Sequence, residues 1–129
     1  MQREFMDYLA AAFPEGIYNG YAPESAPFPY LTVTLTDLAP DEGLDRGATR
    51  SRTAEFEVTA WAVDRNTLAA LVTRLRHRVD RVGDVFDLWG VHVGVMKITG
   101  EDEDEEYEDD ASETVIVSHT IRVFTHYER

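Results

Sequence analysis

The chain has 129 residues, a formal net charge of −13 at pH 7, 43% hydrophobic residues and no cysteine. This length predicts one domain that can bury a core without cross-links, and the missing cysteines exclude disulfides and thiolate metal sites. The negative charge argues against non-specific binding of a nucleic-acid backbone, because repulsion would replace the gain from counterion release.

The first half of the chain predicts one helix and two strands. Residues 2–13 carry apolar side chains at helical spacing and are followed by a proline and a glycine. Residues 30–37 alternate apolar residues with threonines, and 52–63 repeat this period of two, as half-buried strands do. Between them, 38–49 combine turn formers with charge and predict a long mobile loop. The N-terminal stretch has no apolar signal run, so we expect the chain to remain in the cytoplasm.

The main helix is predicted at 65–82, with Asp64 as its N-cap and a glycine at its end. Its apolar residues form one continuous stripe: Leu68, Leu71, Leu75, Val79 and Val82. The opposite side carries Arg74, Arg78 and Arg81. These arginines are interpreted either as a solvated face near the helix C-terminus or as a contact with a subunit or partner.

The last third predicts an antiparallel hairpin, with strands at 89–99 and 113–127. The register that aligns the apolar faces pairs Val93 with Val117, Val95 with Val115 and Lys97 with Glu113. A slip of one residue sets His92 against His119 and breaks the apolar match. In the favoured register the acidic segment 100–112 forms the loop at the hairpin tip.

These elements predict an α+β fold in the order α-β-β-α-β-β. Two helices are expected on one face of an antiparallel or mixed sheet of four to five strands. A short additional strand is predicted at 17–21 or 86–88. Without a repeat or a linker, residues 1–129 are expected to form a single domain.

The order of elements is similar to that of the small tail-completion, or tail-terminator, proteins of long-tailed bacteriophages and prophages. The resemblance covers 1–99 and 112–127 and includes the lead-in APFPYLTVT and the strand FEVTAWA before the main helix. Its most specific parts are Pro27–Thr32 and Phe56–Ala60 with Trp61. It implies a structural protein that forms a ring, commonly a hexamer, which caps the tail tube, halts its polymerisation and meets the head connector. It implies no catalytic residue, and the acidic segment lies outside the shared pattern.

The acidic run 101–110 contains nine acids and Tyr107. One interpretation is a solvated, self-repelling loop. Another is an assembly element, either a wall that repels passing DNA or a contact with the arginine side of a neighbouring subunit. Calcium binding is disfavoured because Tyr107 stands where a calcium loop needs glycine, and DNA mimicry is a further alternative. The candidate contact residues in the run are Glu101, Asp102, Glu103, Asp104, Glu105 and Glu106.

No set of residues predicts catalysis, since the sequence lacks a nucleophile elbow, a phosphate-binding loop and a dinucleotide fingerprint. Zinc would need three or four converging ligands, so His77, His92, His119 and His126 are interpreted as surface or satisfied residues. We expect neither a metal nor a cofactor. Trp61, with Trp89 and Tyr30, is a candidate for core or interface packing. For Trp61 we favour an interface, since it lies on the strand face opposite Phe56 and Val58.

The sequence therefore predicts a non-enzymatic virion protein that oligomerises into a ring in the tail or neck. Its expected partners are further copies of itself, the tail tube protein and the head connector, with DNA only as passing cargo and no membrane. The loop 38–49 is expected to order on the tube or connector. The alternative is a monomeric acidic module that captures a cation or a basic protein through 101–110. Neutralising the acidic run is expected to leave the melting temperature nearly unchanged or to raise it.

Overall fold

The protein folds as two helices on one face of a six-stranded sheet. The computed structural model describes residues 1–40, 51–88, 90–109 and 114–128. Within these ranges the elements are α1 (Gln2–Ala10), β1 (Ile17–Asn19), β2 (Tyr30–Pro40), β3 (Ser51–Ala62), α2 (Arg65–Val79), β4 (Arg81–Leu88), β5 (Val91–Asp109) and β6 (Thr114–Glu128). The α+β class is confirmed. The sheet has six strands rather than four to five, because 17–21 and 86–88 both contribute a strand.

The strands are arranged in the order β1-β2-β3-β6-β5-β4. Only β1 and β2 are parallel, so the sheet is mixed. It combines a β2–β3 hairpin with a β4–β5–β6 meander, and the two units meet where β3 pairs with β6. The turn from β4 to β5 contains Gly90 at φ 77°, a conformation that glycine adopts without steric cost.

The core lies between the sheet and the two helices. Alternation along β3 places Phe56, Val58 and Ala60 on the helix-covered face, which we call the inner face. Phe5 of α1 stacks on Phe56 with ring centroids 4.1 Å apart, and Leu75 of α2 is fully buried. Among the residues that the structure describes, none forms a helix on the opposite, outer face of the sheet.

Both helices begin at the predicted residues, and both end three residues earlier than predicted. The Asp64 carboxylate accepts a hydrogen bond from the Thr67 backbone N–H at 2.7 Å, which confirms the predicted N-cap. However, α2 ends at Val79, because Arg81 already begins β4. No helix in the described ranges has the length and apolar character that crossing a bilayer would require.

The predicted register of the β5–β6 hairpin is wrong. Val93 lies opposite Tyr127 rather than Val117, Val95 lies opposite His126, and Lys97 lies opposite Phe124. The alternative pairing of His92 with His119 is also not observed, since the neighbour of His92 on β6 is Glu128. The strands are therefore shifted by about ten residues, and apolar positions still face each other because β6 alternates along its whole length.

The shift changes the structure of the acidic segment. Residues 100–109 were predicted as part of a loop and instead continue β5, with Asp109 opposite Thr114. A register shift between Asp102 and Glu105 accommodates one extra residue of the acidic strand. Of the predicted mobile loop 38–49, residues 38–40 belong to β2, and the rest lies outside the described residues.

Candidate functional site

Two acids of β5 that point to the inner face, Glu101 and Glu106, are paired with α2. Glu101 accepts a hydrogen bond from Arg76 Nε at 2.8 Å, and His119 Nε2 lies 3.4 Å from the same carboxylate. The hydrogen bond from Arg76 lowers the pKa of Glu101 against the opposing effect of partial burial. Farther along β5, Glu106 forms an ion pair with Arg65 near the start of α2.

On the outer face, Asp102 accepts a hydrogen bond from Arg122 of β6 at 3.0 Å. The guanidinium reaches this position by lying over Gly100, where a Cβ would be only 2.6 Å from Arg122 Nη2. The acidic strand is thus bound to its own chain on both faces. Its arginine partners in the described structure are Arg65, Arg76 and Arg122, and not the helix side formed by Arg74, Arg78 and Arg81.

The predicted arginine side of α2 is used mainly within the chain. Arg74 forms an ion pair with Glu15, which lowers the pKa of that carboxyl, and donates to the Ala12 carbonyl at 2.7 Å. Arg78 donates from Nη2 to the Tyr8 carbonyl at 2.6 Å and covers the Tyr8 ring at 3.8 Å. These contacts attach α1 to α2. Arg81 is exposed at the start of β4 and does not continue the helical stripe.

The sheet has long edges that carry no neighbour among the described residues. β4 pairs with β5 only along 91–96, so residues 97–109 of β5 present one unpaired edge. β1 covers β2 only at 31–33, which leaves the edge of 34–40 uncovered. Unpaired edges are ready templates for pairing with another chain, and charged side chains are a common protection against uncontrolled pairing.

Trp61 belongs to an aromatic cluster on the outer face. Its indole N–H donates to Thr32 Oγ1 at 3.0 Å, and its ring tilts against Tyr30, the neighbouring residue on β2. Phe28 stacks on Tyr30 with ring centroids 5.0 Å apart, and Tyr18 of β1 meets the Tyr30 ring edge-on. Burial within this cluster raises the pKa of Tyr30. The structure thus places Trp61 on the face favoured from the sequence, and Trp89 lies outside the described residues.

A groove of about 400 Å³ adjoins this cluster. The segment before β2 and the start of β6 line it with Ala22, Pro23, Glu24, Ala26, Phe28, Tyr30 and Ile116. Sequence reasoning did not find Phe28 or Ile116 as surface residues. The prolines of the lead-in indicated extended backbone there, but nothing local to the sequence placed this segment beside β6.

The histidines are dispersed in the structure. His77 is exposed on α2, while His92 Nδ1 lies 3.9 Å from an Asp87 oxygen at the β4–β5 end of the sheet. His119 is buried under α2 beside Glu101. Within the part of the chain that the structure describes, no three His, Asp or Glu side chains are grouped as a metal ion would require.

This chain is similar to known proteins in its fold. No protein-family model and no curated protein sequence matches this chain. A chain of the virion of a native gene transfer agent particle aligns with a TM-score of 0.62 and 12% identity, over 94% of this chain and 84% of that one. A second solved structure aligns with a TM-score of 0.50 and 14% identity, over 96% of this chain and 89% of the other. At these identities the likeness establishes a shared fold, which spans nearly the whole chain.

Proposed function

We propose that this chain is a structural virion protein of a phage-like particle and acts through assembly with other copies and other virion proteins. The observation that carries the proposal is the fold shared with a chain of a gene transfer agent virion over 94% of this chain. The resemblance of the sequence to tail-terminator proteins points in the same direction. Because one fold can host several functions, the proposal requires a direct test of assembly.

The finer proposal is a ring, commonly six copies, at the end of the tail tube, where it halts tube polymerisation and joins the tail to the head connector. The unpaired edges at 34–40 and 97–109 support this proposal, because closing a ring of subunits can cover sheet edges. The chain would then act without catalysis, and DNA would pass through the ring without being bound.

The acidic strand supports the passage of DNA in this proposal. The carboxylates of Glu101, Asp102 and Glu106 stand on a paired strand and are held by arginines of the same chain, which a disordered loop would not achieve. A fixed acidic wall repels phosphates over about one Debye length, roughly 8–10 Å at physiological salt. This role needs the strand to face the channel of the ring.

Assembly can be tested by sedimentation velocity and electron microscopy on the purified full chain over a wide concentration range, alone and with tail tubes of the same genome. Closed rings, or decoration of tube ends, are the expected result. A protein that stays monomeric at high concentration and leaves tube ends bare would overturn the proposal. The alternative would then be a monomeric acidic module that captures a cation or a basic protein through 101–110, which the net charge of −13 favours.

A further inference from the structure

We propose that the groove beside Trp61 is the docking site for a segment of a partner protein that carries an apolar anchor flanked by lysine or arginine. We call this groove the aromatic groove and define it by Phe28, Tyr30, Trp61, Ile116 and Glu24. The inference deepens the proposed assembly function by assigning one surface and the chemistry of its partner, and it rests on that function.

The apolar part of the surface is preformed. Phe28, Tyr30 and Trp61 are each partly exposed. The Tyr30 ring packs against both of the others, Phe28 and Trp61. Ile116 is likewise partly exposed on the far wall. Tyrosine and tryptophan that are held in place by neighbours lose little entropy on binding, and they are enriched where protein interfaces concentrate their binding energy.

The charged residue that lines the groove is acidic. It is Glu24, whose side chain is exposed. The surface therefore combines apolar contact area with an acidic border.

The rest of the outer face is also predominantly acidic. By the alternation of the strands, this face carries Glu55, Glu57 and Asp102, against Arg122 and Lys97 as the basic residues. Arg122 is already paired with Asp102, and Lys97 lies over the Phe124 ring at 5.4 Å. A partner that approaches this face therefore meets a negative field, which favours a basic segment.

A second copy of the chain is a poor match for the same surface. Each copy carries a net charge of −13, so two outer faces repel. Many of the cations that a copy could offer are engaged with acids, carbonyls or rings of their own chain: Arg65, Arg74, Arg76, Arg78, Lys97 and Arg122. Charge complementarity thus selects a different, basic protein as the occupant.

The test measures binding of three short synthetic peptides to the full chain. Binding is monitored by NMR through the signals of the backbone amides and of the indole N–H of Trp61. One peptide alternates lysine and leucine, the second lysine and serine, and the third glutamate and leucine. The lysine–leucine peptide is expected to shift the signals of Ala26, Ile116 and Trp61 and to bind most tightly. The other two lack one half of the required chemistry and are expected to bind at least about fivefold more weakly.

Two variants and two matched controls localise the site. Ile116→Ser removes an apolar side chain from the groove, and Glu24→Gln removes a negative charge. Each variant is expected to bind the lysine–leucine peptide about threefold or more weakly. Leu38→Ser and Asp37→Asn make the same kinds of change at exposed positions of β2 outside the groove. They are expected to leave binding unchanged.

Three outcomes would overturn the docking proposal. Equal binding of the lysine–serine peptide, with shifts spread along 101–109, would mean that charge alone attracts it. Equal binding of the glutamate–leucine peptide would mean that the acidic border of the groove does not select the partner. Shifts at Ile116 and Trp61 that depend on protein concentration without peptide would make the groove a contact between copies. A protein that binds the lysine–leucine peptide as expected, but stays monomeric and leaves tube ends bare, would contradict the ring and leave the groove proposal standing.

Discussion

At the scale of single residues, the acids of β5 are not equivalent to one another. Glu101 and Glu106 are bound to arginines of α2, and Asp102 is bound to Arg122 of the neighbouring strand. These three carboxylates attach the strand to the domain, so neutralising them removes favourable contacts as well as repulsion. A solvated loop could be neutralised without loss of stability, whereas for residues paired with β6 we expect a loss.

We predict that Glu101→Gln lowers the free energy of unfolding by about 0.5–1 kcal/mol at pH 7, the upper range for exposed ion pairs. The Arg76 hydrogen bond lowers the pKa of Glu101 below its ordinary value of 4.5, so its contribution is present above that pH. The contribution is lost as the pH falls through the lowered pKa of the folded state. Urea unfolding from pH 7 to about pH 3 should therefore show the difference between wild type and variant shrinking.

Glu57→Gln provides the control for this experiment, since it neutralises an acid on the outer face. It should change stability by less than about 0.5 kcal/mol at every pH. If Glu101→Gln remained equally destabilised at pH 3, its effect would not come from the ionised pair with Arg76.

Arg78 uses its guanidinium in a way that lysine cannot reproduce. It donates from both Nε and Nη2 to the Tyr8 carbonyl while its plane covers the Tyr8 ring. We predict that Arg78→Lys costs about 1–2 kcal/mol, because the paired hydrogen bonds and the stacking are lost while the charge is kept. Chemical denaturation measures this loss, with the exposed Arg81→Lys as a control expected within about 0.5 kcal/mol.

The same variant separates the two interpretations of the arginine side of α2. If Arg78→Lys left the stability of the protomer unchanged but weakened oligomerisation, its main role would be a subunit contact. Loss of protomer stability without a change in oligomerisation is the result expected from the contacts with α1.

At the scale of elements, α1 depends on the rest of the domain for its place. With nine residues it is too short to be stable alone in water, so packing must hold it. Phe5 is fully buried and stacks on Phe56, while Tyr8 stacks on Phe86 of β4 and donates to the Arg78 carbonyl. The helix therefore joins β3, β4 and α2.

We predict that Phe5→Ala lowers the free energy of unfolding by about 3–5 kcal/mol, because it removes a fully buried ring and leaves a cavity against Phe56. Leu38→Ala truncates a side chain that is 54% exposed and should cost no more than about 1 kcal/mol. Thermal or chemical unfolding of both variants measures the difference. A loss below about 1 kcal/mol for Phe5→Ala would mean that α1 is not an integral part of the core.

At the scale of the whole molecule, net charge opposes the proposed assembly of several copies. Copies with a charge of −13 repel at long range, and any ring must overcome this through apolar contact and strand pairing. The arginines that would relieve the repulsion are largely paired inside each copy. Assembly should therefore respond to ionic strength in a defined direction.

We predict that raising the salt from about 20 mM to about 300 mM promotes oligomerisation, because screening shortens the range of repulsion from roughly 20 Å to below 10 Å. Sedimentation velocity at matched protein concentration measures the fraction in oligomers. Sodium chloride is the suitable salt, and a neutral osmolyte at equal osmolality is the control. Oligomers that instead dissociate with salt would be held by ion pairs between copies.

The sequence was sufficient for the features that depend on neighbours along the chain. The period of two in 30–37 and 52–63 indicates strands, and Asp64 followed by a helical stripe indicates the start of α2, because both signals arise within a few residues. The same alternation correctly assigned Trp61 to the face opposite Phe56. The α+β class follows from the order of these local signals.

Only the tertiary structure decided the register of β5 and β6, the strand nature of 100–109 and the partners of the arginines. The alternation of β6 allows several registers with matched apolar faces, and local pattern gives no means of choosing between them. The choice involves contacts between residues far apart in the chain, such as Arg76 with Glu101 and Arg65 with Glu106. A charged segment joins a sheet when distant cations pair with its carboxylates and a neighbouring strand pairs with its backbone. Those groups come together only in the folded domain.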